Sequence, residues 1–182
     1  SQVLVIGLDA TAPGAEQTGI DFHPGDAKRL LILGDDAAAP AVCSILEQLP
    51  THAAEVEAVV EVPQLARKIE AGPDGHWTDS RGNRINIRWQ ERLGERGDRL
   101  AEAIEDHLHR FPLPRCQQDS PEEGPDDLLW DTPASPPQEF YSWIAGESTM
   151  VRRLRRILVN DHGVDRRHIA FMSYWRHGSA GM

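Results

Sequence analysis

The sequence has little that would suit an extracellular, membrane or nucleic-acid-binding protein. Only two of its 182 residues are cysteines, and a chain of this size does not depend on a disulfide scaffold, so we expect a reducing, cytoplasmic location. No apolar run reaches the length of a membrane span, and the N-terminus lacks the regions of a signal peptide. The net charge is −10, whereas contact with a nucleic-acid backbone needs surplus Lys and Arg. We therefore expect neither a membrane nor a nucleic acid as partner.

The charge is unevenly distributed along the chain. Residues 140–182 contain seven arginines and three acidic residues, a local balance of +4, which leaves −14 on the remainder. A basic segment on an acidic protein suits a small anionic ligand, although a solvated helix face would give the same pattern. The eight histidines show no spacing that indicates a metal site, so we predict none.

Five short apolar runs indicate buried strands. They cover residues 28–35, 54–62, 83–90, 140–146 and 168–175, and most are continuous, as expected for parallel strands covered on both faces. Helical patterns follow the first four runs, at residues 38–49, 63–71, 97–111 and 148–161. Strands that alternate with helices predict an α/β fold, a doubly wound five-stranded parallel sheet flanked by helices.

Two segments fall outside this repeat. Residues 1–27 contain one further strand-like run, Val3–Ile6, and we interpret them as a remnant strand and linker before an α/β domain of residues 28–182. Residues 111–139 are rich in Pro, Asp and Glu and have no hydrophobic period. This composition predicts a long exposed loop.

Two strand-to-helix turns are candidates for a ligand site. They are "LGDDAAAP" at residues 33–40 and "AGES" at residues 145–148. A doubly wound sheet binds ligands at the carboxyl ends of its strands, near its switch point, where the free N–H groups of a helix favour an anion. The turns would be neighbours if the first and fourth strands are adjacent. The alternative is ordinary capping, by the aspartates of the first turn and by Glu147 or Ser148 in the second.

Arginine and aromatic side chains follow the third and fifth predicted strands. Arg92 and Arg96 could hold a ribose phosphate through their planar guanidinium groups, or they could be ordinary loop charges. Tyr174 and Trp175 could stack on a planar ring, or they could close the edge of the core. The residues alone leave both choices open.

Together these segments resemble the siderophore-interacting proteins. The resemblance is carried by "LLILGDDAAAPAVCSILEQLP", "VEAVVEV", "IRWQERLG" and above all "FYSWIAGESTMVRRLRRILVNDHGVDRRHIAFMSYWRHG", and it covers residues 28–178. It implies the NAD(P)H-binding domain of a flavin-dependent ferric-siderophore reductase of the ferredoxin-reductase superfamily. In that reading, NAD(P)H passes hydride to FAD, and the flavin reduces the Fe(III) of a ferric siderophore. The FAD-binding barrel would be supplied by a partner domain or chain.

The resemblance also implies roles by position. Cofactor contacts are expected in the first turn at Gly34, Asp35, Asp36, Ala38 and Pro40, and in the second at Ala145, Gly146 and Glu147. Arg92 would meet the 2′-phosphate of NADPH. Glu147, Tyr174 and Trp175 would be catalytic, and Arg176 would bind the siderophore. Ala37 departs from the family pattern, which has a threonine at this position.

Two other functions stay open at this point. The domain could be a non-catalytic binding or regulatory module that kept the fold, which the acidic segment 111–139 and the departure at Ala37 favour. It could instead be a siderophore-binding subunit. In that case an anionic ferric chelate would be held by a grip of four arginines, Arg152, Arg155, Arg156 and Arg176.

Overall fold

A seven-stranded sheet with helices on both faces forms the body of the chain. A computed structural model describes residues 20–64, 75–116, 130–131 and 139–178. The strands are β1 Arg29–Asp35, β2 Glu55–Val62, β3 Gly75–Thr78, β4 Arg84–Glu91, β5 Trp130–Asp131, β6 Phe140–Glu147 and β7 Ile169–Trp175. The helices are α1 Ala39–Glu47, α2 Asp98–Arg110 and α3 Ser148–Arg155, and α3 is followed by a π-helical turn, Arg156–Asp161, and a 3-10 turn, Arg166–His168.

The strands lie in the order β3-β4-β2-β1-β6-β7-β5. The five inner strands are parallel, which confirms the predicted doubly wound parallel sheet. The sequence does not predict β3 and β5, which pair antiparallel with β4 and β7 at the two edges. They span only four and two residues, too few for hydrophobic periodicity to indicate a strand.

The central strands β1 and β6 are apolar on both faces. Every residue of β6 is buried, as is every residue of β1 except the first. One face of the sheet packs on α1, and the other packs on α2 and α3, so the described residues form two cores. Trp143 and Ile144 are successive residues of β6 and lie in different cores, as the two-residue period of a strand requires.

The helices bury the predicted apolar stripes. Leu100 and Ile104 of α2 are fully buried, as are Val151 and Leu154 of α3. The helix predicted at residues 148–161 is continuous, but its second half is a π-helix. The strand predicted at Val3–Ile6 lies outside the described residues, as do most of the helix predicted at 63–71 and most of the loop predicted at 111–139.

The direction of winding reverses between β1 and β6. β2 and β4 lie on one side of β1, and β6 and β7 lie on the other. Open α/β sheets bind ligands at such a switch point. Gly34 of β1 and Ala145 of β6 are partners in register, so the turns at 33–40 and 145–148 are neighbours, as expected.

Candidate functional site

Asp35 connects three chain segments that meet at the switch point. Its fully buried carboxylate accepts hydrogen bonds from the backbone N–H groups of Ala37 and Glu147, both at 3.0 Å, and from the indole Nε1 of Trp175 at 3.1 Å. Burial raises the pKa of Asp35, and the bonds from Glu147 and Trp175 act against that rise. Asp35 therefore fixes both turns and the end of β7 in one arrangement.

Glu147 caps α3. Its Oε2 atom accepts hydrogen bonds from the N–H groups of Thr149 at 2.7 Å and Met150 at 3.0 Å, and its Oε1 atom accepts one from the N–H of His177 at 3.2 Å. The residue is 4% exposed. This confirms the capping alternative for Glu147. The carboxylate occupies the place where an anionic ligand would meet the helix N-terminus.

Glu61 caps α2 from the end of β2, a role that is not among the predictions from the sequence. The residue is fully buried, and its Oε2 atom accepts hydrogen bonds from the N–H groups of Gly97 at 3.0 Å and Arg99 at 3.2 Å. The signal that could have found Glu61 is a repeated pattern. Asp35, Glu61 and Glu147 are all acidic residues at or near the end of an apolar strand.

The N-terminus of α1 differs from those of α2 and α3. Its N-cap residue, Ala38, makes no side-chain cap, and the first turn of the helix contains no acidic residue. Ala37 and Pro40 are exposed there, whereas Ala38 is buried. The N–H groups of Ala37 and Ala38 donate to Oδ1 of Asp35, at 3.0 and 3.3 Å, so an anion would meet only the dipole of the following helical turn.

Two arginines link the carboxylates of the site. The Nε atom of Arg92 lies 2.8 Å from Oε1 of Glu61, and its Nη2 atom lies 3.0 Å from Oδ1 of Asp36. The Nη1 atom of Arg96 lies 3.1 Å from Oδ1 of Asp36 and 3.3 Å from Oδ2 of Asp35. Burial works against ionisation of Asp36, but the two arginines outweigh it and lower its pKa. The side chains of Arg92 and Arg96 keep exposures of 16% and 24%, so both reach the surface of the site.

The two predicted aromatic residues have different surroundings. The guanidinium carbon of Arg96 lies 4.7 Å from the centre of the Trp175 ring, so Trp175 and Arg96 together form a wall beside Asp35. Tyr174 instead packs against the core, with its ring centre 6.3 Å from that of Trp143, and burial raises its pKa. The structure brings Trp175 to the site and places Tyr174 at the core edge. Arg176 is exposed.

Gly146 allows the two turns to approach each other. Its φ of 145° is one that L side chains rarely adopt. A Cβ atom there would lie 2.6 Å from Cγ of Asp35 and 2.7 Å from Cε of Met150. A Cβ atom on Gly34 would lie 2.8 Å from Cβ of Ala38. The space beside both glycines is thus filled by the protein itself.

The site combines four carboxylates with two guanidinium groups. Two of its three helix N-termini are occupied by Glu61 and Glu147, so an anion does not fit there. The remaining place lies between the N-terminus of α1 and the partly exposed side chains of Arg92 and Arg96, whose guanidinium groups are of the kind that binds phosphate oxygens. A phosphate at this place would share the two arginines with Asp36.

The arginines of α3 and of the π-helical turn after it do not form one surface. Arg155 is 7% exposed, and its guanidinium carbon lies 5.8 Å from the centre of the Phe171 ring. Arg156 is exposed. The predicted four-arginine grip is therefore wrong in its inclusion of Arg155, because that side chain covers the core.

Neither a metal centre nor a membrane span is found in the described parts of the chain. No group of three His, Cys, Asp or Glu side chains within these ranges could hold a metal ion. No helix within them is long and apolar enough to cross a membrane.

Comparisons with known proteins agree with this fold. A family model described as "Siderophore-interacting protein" matches residues 27–178. The chain is similar to the solved structure of the siderophore-interacting protein SipS from Aeromonas hydrophila, with 24% identity and a TM-score of 0.51 over 84% of this chain and 52% of that one. It is also similar to the siderophore-interacting protein from Acinetobacter baumannii, with 17% identity and a TM-score of 0.52 over 85% of this chain and 48% of that one.

A third similar structure is that of a siderophore utilization protein from T. fusca. It has 23% identity and a TM-score of 0.53 over 86% of this chain and 48% of that one. The chain thus spans about half the length of these solved structures. A comparison with curated proteins finds no match.

Proposed function

This chain belongs to the siderophore-interacting protein family, and from that premise we propose that it is the nicotinamide-nucleotide-binding part of a flavin-dependent ferric-siderophore reductase. The observation that supports this most is the junction at Asp35. There the turn after β1, the turn after β6 and the end of β7 are held together at the switch point of the sheet, where folds of this kind hold nucleotides. The FAD-binding part would lie in another domain or another chain.

Arg92 and Arg96 would hold the phosphates of the nucleotide. Planar guanidinium groups suit phosphate oxygens, and the N-terminus of α1, with no side-chain cap, would add backbone dipoles of the right sign. Because Asp36 already contacts both arginines, a phosphate has to share them or displace this carboxylate. The 2′-phosphate of NADPH would meet the same competition if it lies at Arg92.

The turn at 145–148 and the Trp175 ring would position the nicotinamide. Gly146 and the bond from the Glu147 N–H to Asp35 fix the backbone of this turn, and the Trp175 indole stands beside it. A bound flavin would supply the redox chemistry, taking a hydride from the nucleotide and passing single electrons to the Fe(III) of a siderophore. The Glu147 carboxylate accepts hydrogen bonds from three backbone N–H groups. We therefore assign Glu147 a role in positioning this turn. The exposed Arg176 would contact the siderophore.

The proposal is tested by adding a ferric siderophore and NADH or NADPH to the chain, with and without FAD and the domain or chain that binds it, and following nucleotide oxidation and ferrous iron. We expect turnover only when FAD and its binding domain are both present. Arg96→Gln should reduce it about tenfold or more, because a charge-assisted contact to phosphate is lost. Arg99→Gln is the matched control, since Arg99 pairs with Glu102 outside the site. Turnover by the chain without any flavin would contradict the proposal.

A non-catalytic binding module is the second candidate. One observation favours it: the groups that could bind an anion already have partners within the protein. Glu61 and Glu147 cap the N-termini of α2 and α3, and Asp36 forms ion pairs with both arginines of the site. A chain of this kind would keep the fold and bind neither NADH nor NADPH. Nucleotide titration separates the two candidates, because only the first predicts binding.

A further inference from the structure

A cavity lies at the opposite, amino edge of the sheet. Its volume is about 360 Å³, and it is lined by β2, β3, β4 and the C-terminal end of α2. An adjoining cavity of about 690 Å³ shares Glu57, His76, Asn86 and Arg110 with it. Cavities of this size hold small ligands. Glu57 precedes Glu61 by four residues on β2, roughly 13 Å along the strand, so this place is distinct from the candidate nucleotide site.

A buried carboxylate organises the wall of the cavity. The Glu57 side chain is 7% exposed and lies 2.7 Å from Nη2 of Arg88, 2.5 Å from Nη2 of Arg110 and 2.8 Å from Nδ1 of His107. One carboxylate thus faces two guanidinium groups. This inner cluster carries a charge of +1 even when His107 is neutral.

The other charges of the inner cavity leave this balance unchanged, because Glu55 is paired with Arg84. The outer cavity adds two exposed carboxylates, Glu105 and Asp106, which outweigh the single positive charge of the cluster there. His76 and His109 are also at the surface and can only add positive charge. The innermost part of the cavity therefore favours an anion.

Three buried polar atoms of these walls lack a hydrogen-bond partner within the described ranges. They are Nε2 of His107, Nε of Arg88 and Oδ1 of Asn86. His107 is 2% exposed and lines the cavity, and its Nδ1 atom donates to Glu57, so Nε2 is left for a ligand. Buried polar atoms are nearly always satisfied by protein, by water or by a ligand.

We propose that a small oxyanion, either a carboxylate or a phosphate, binds where the two cavities adjoin, between His107 of the inner cavity and Arg88 of the outer one. Its oxygens would accept a hydrogen bond from Nε of Arg88 and lie against Nε2 of His107, and they would balance the positive charge of Arg88 and Arg110 that Glu57 leaves uncompensated. The amide of Asn86 can rotate so that its NH₂ group donates to the same anion. The Phe111 ring, 5.2 Å from the His107 ring, closes one side of the cavity with apolar surface, where charge-assisted hydrogen bonds are strong.

The test titrates the whole chain with sodium phosphate and, separately, with sodium acetate at constant ionic strength. Binding is followed by calorimetry and by the ¹⁵N resonances of the His107 ring. We expect at least one anion to bind with a Kd of about 1 mM or tighter and to shift these resonances. A response to phosphate alone assigns the site to phosphates, and a response to acetate assigns it to carboxylates.

Variants of Arg88 and Arg99 test whether the anion binds at the proposed place. Arg88→Gln should weaken it about tenfold or more, and Arg99→Gln, at the other end of α2, should leave it unchanged. If Arg88→Gln does not fold, Arg88→Lys keeps the charge but lacks the Nε–H and should also weaken binding. The proposal is overturned if neither anion shifts the His107 resonances, which indicates a cavity filled by water, or if the Arg88 variants bind like the wild type.

Discussion

Asp35 is a residue at which both charge and shape matter. It is fully buried, and its Oδ2 atom accepts hydrogen bonds from the Glu147 N–H and the Trp175 indole. Asp35→Asn keeps the shape but puts an NH₂ group where one carboxylate oxygen faces N–H donors. We expect urea denaturation to show a loss of about 2–3 kcal/mol in the free energy of unfolding.

Asp36 provides the matched control for this change. Its side chain is 37% exposed, so Asp36→Asn should cost less than about 1 kcal/mol. Equal losses in the two variants would contradict the role assigned to Asp35.

Gly146 is the second residue on which the turn at 145–148 depends. Gly146→Ala would combine an unfavourable φ with close contacts to Asp35 and Met150. Gly75 is a suitable comparison, because its φ of 126° is similar and a Cβ atom there meets nothing within 4 Å. We expect Gly146→Ala to lower the free energy of unfolding by about 1–3 kcal/mol more than Gly75→Ala, because only the former is also overpacked. Thermal and urea unfolding of both variants check this, and equal effects would mean that the contacts relax freely.

At the scale of secondary structure, carboxylates at strand ends hold the helices in place. Glu147→Gln removes the charge that caps α3 and leaves the side chain a weaker acceptor. We expect the Thr149 and Met150 amides to exchange with solvent about 3–10 times faster, which corresponds to about 1 kcal/mol of lost capping. Hydrogen exchange by NMR measures this. The Arg99 amide, capped by Glu61 in α2, serves as an internal control, and unchanged exchange at Thr149 and Met150 would exclude the cap.

Most elements can be predicted from the sequence, because β1, β2, β4, β6 and β7 are apolar runs long enough to identify. The position of the two turns also follows, since parallel strands bring their carboxyl ends to one edge. The ion-pair partners of the charged side chains cannot be predicted from the sequence. The sequence places Arg92 after a strand, but only the sheet order shows that Glu61 and Asp36 lie within 3.0 Å of it. Burial of Glu61 is unusual, because an acidic residue at a strand end is ordinarily solvated, and only the repeated acidic residues at strand ends give a signal for it.

At the scale of the whole molecule, stability in acid should depend on Glu57. Burial works against ionisation of this carboxyl, but its contacts with His107 and Arg110 outweigh burial and lower its pKa. Its contribution to stability is therefore present above the unfolded-state pKa of about 4.3 and is lost as pH falls through the lower folded-state pKa.

Glu57→Gln tests this pH dependence. The substitution leaves Arg88 and Arg110 without their counter-ion, so we expect the free energy of unfolding to fall by about 2–4 kcal/mol at neutral pH. The difference from the wild type should become smaller below about pH 4. Urea denaturation across the pH range gives both values. Glu55→Gln is the control, because Glu55 pairs with Arg84 at the surface and should contribute less than about 1 kcal/mol. A loss for Glu57→Gln that stays constant into strong acid would contradict the linkage.

The function proposed for the whole molecule requires that the site between α1, Arg92 and Arg96 binds a nicotinamide nucleotide. The most direct test is calorimetric titration of the folded chain with NADH and with NADPH. We predict that at least one binds with a Kd of about 1 mM or tighter, and that Arg96→Gln weakens this binding about tenfold or more while Arg99→Gln does not. Absence of binding by the folded wild-type chain to either nucleotide at millimolar concentration would contradict the proposed function.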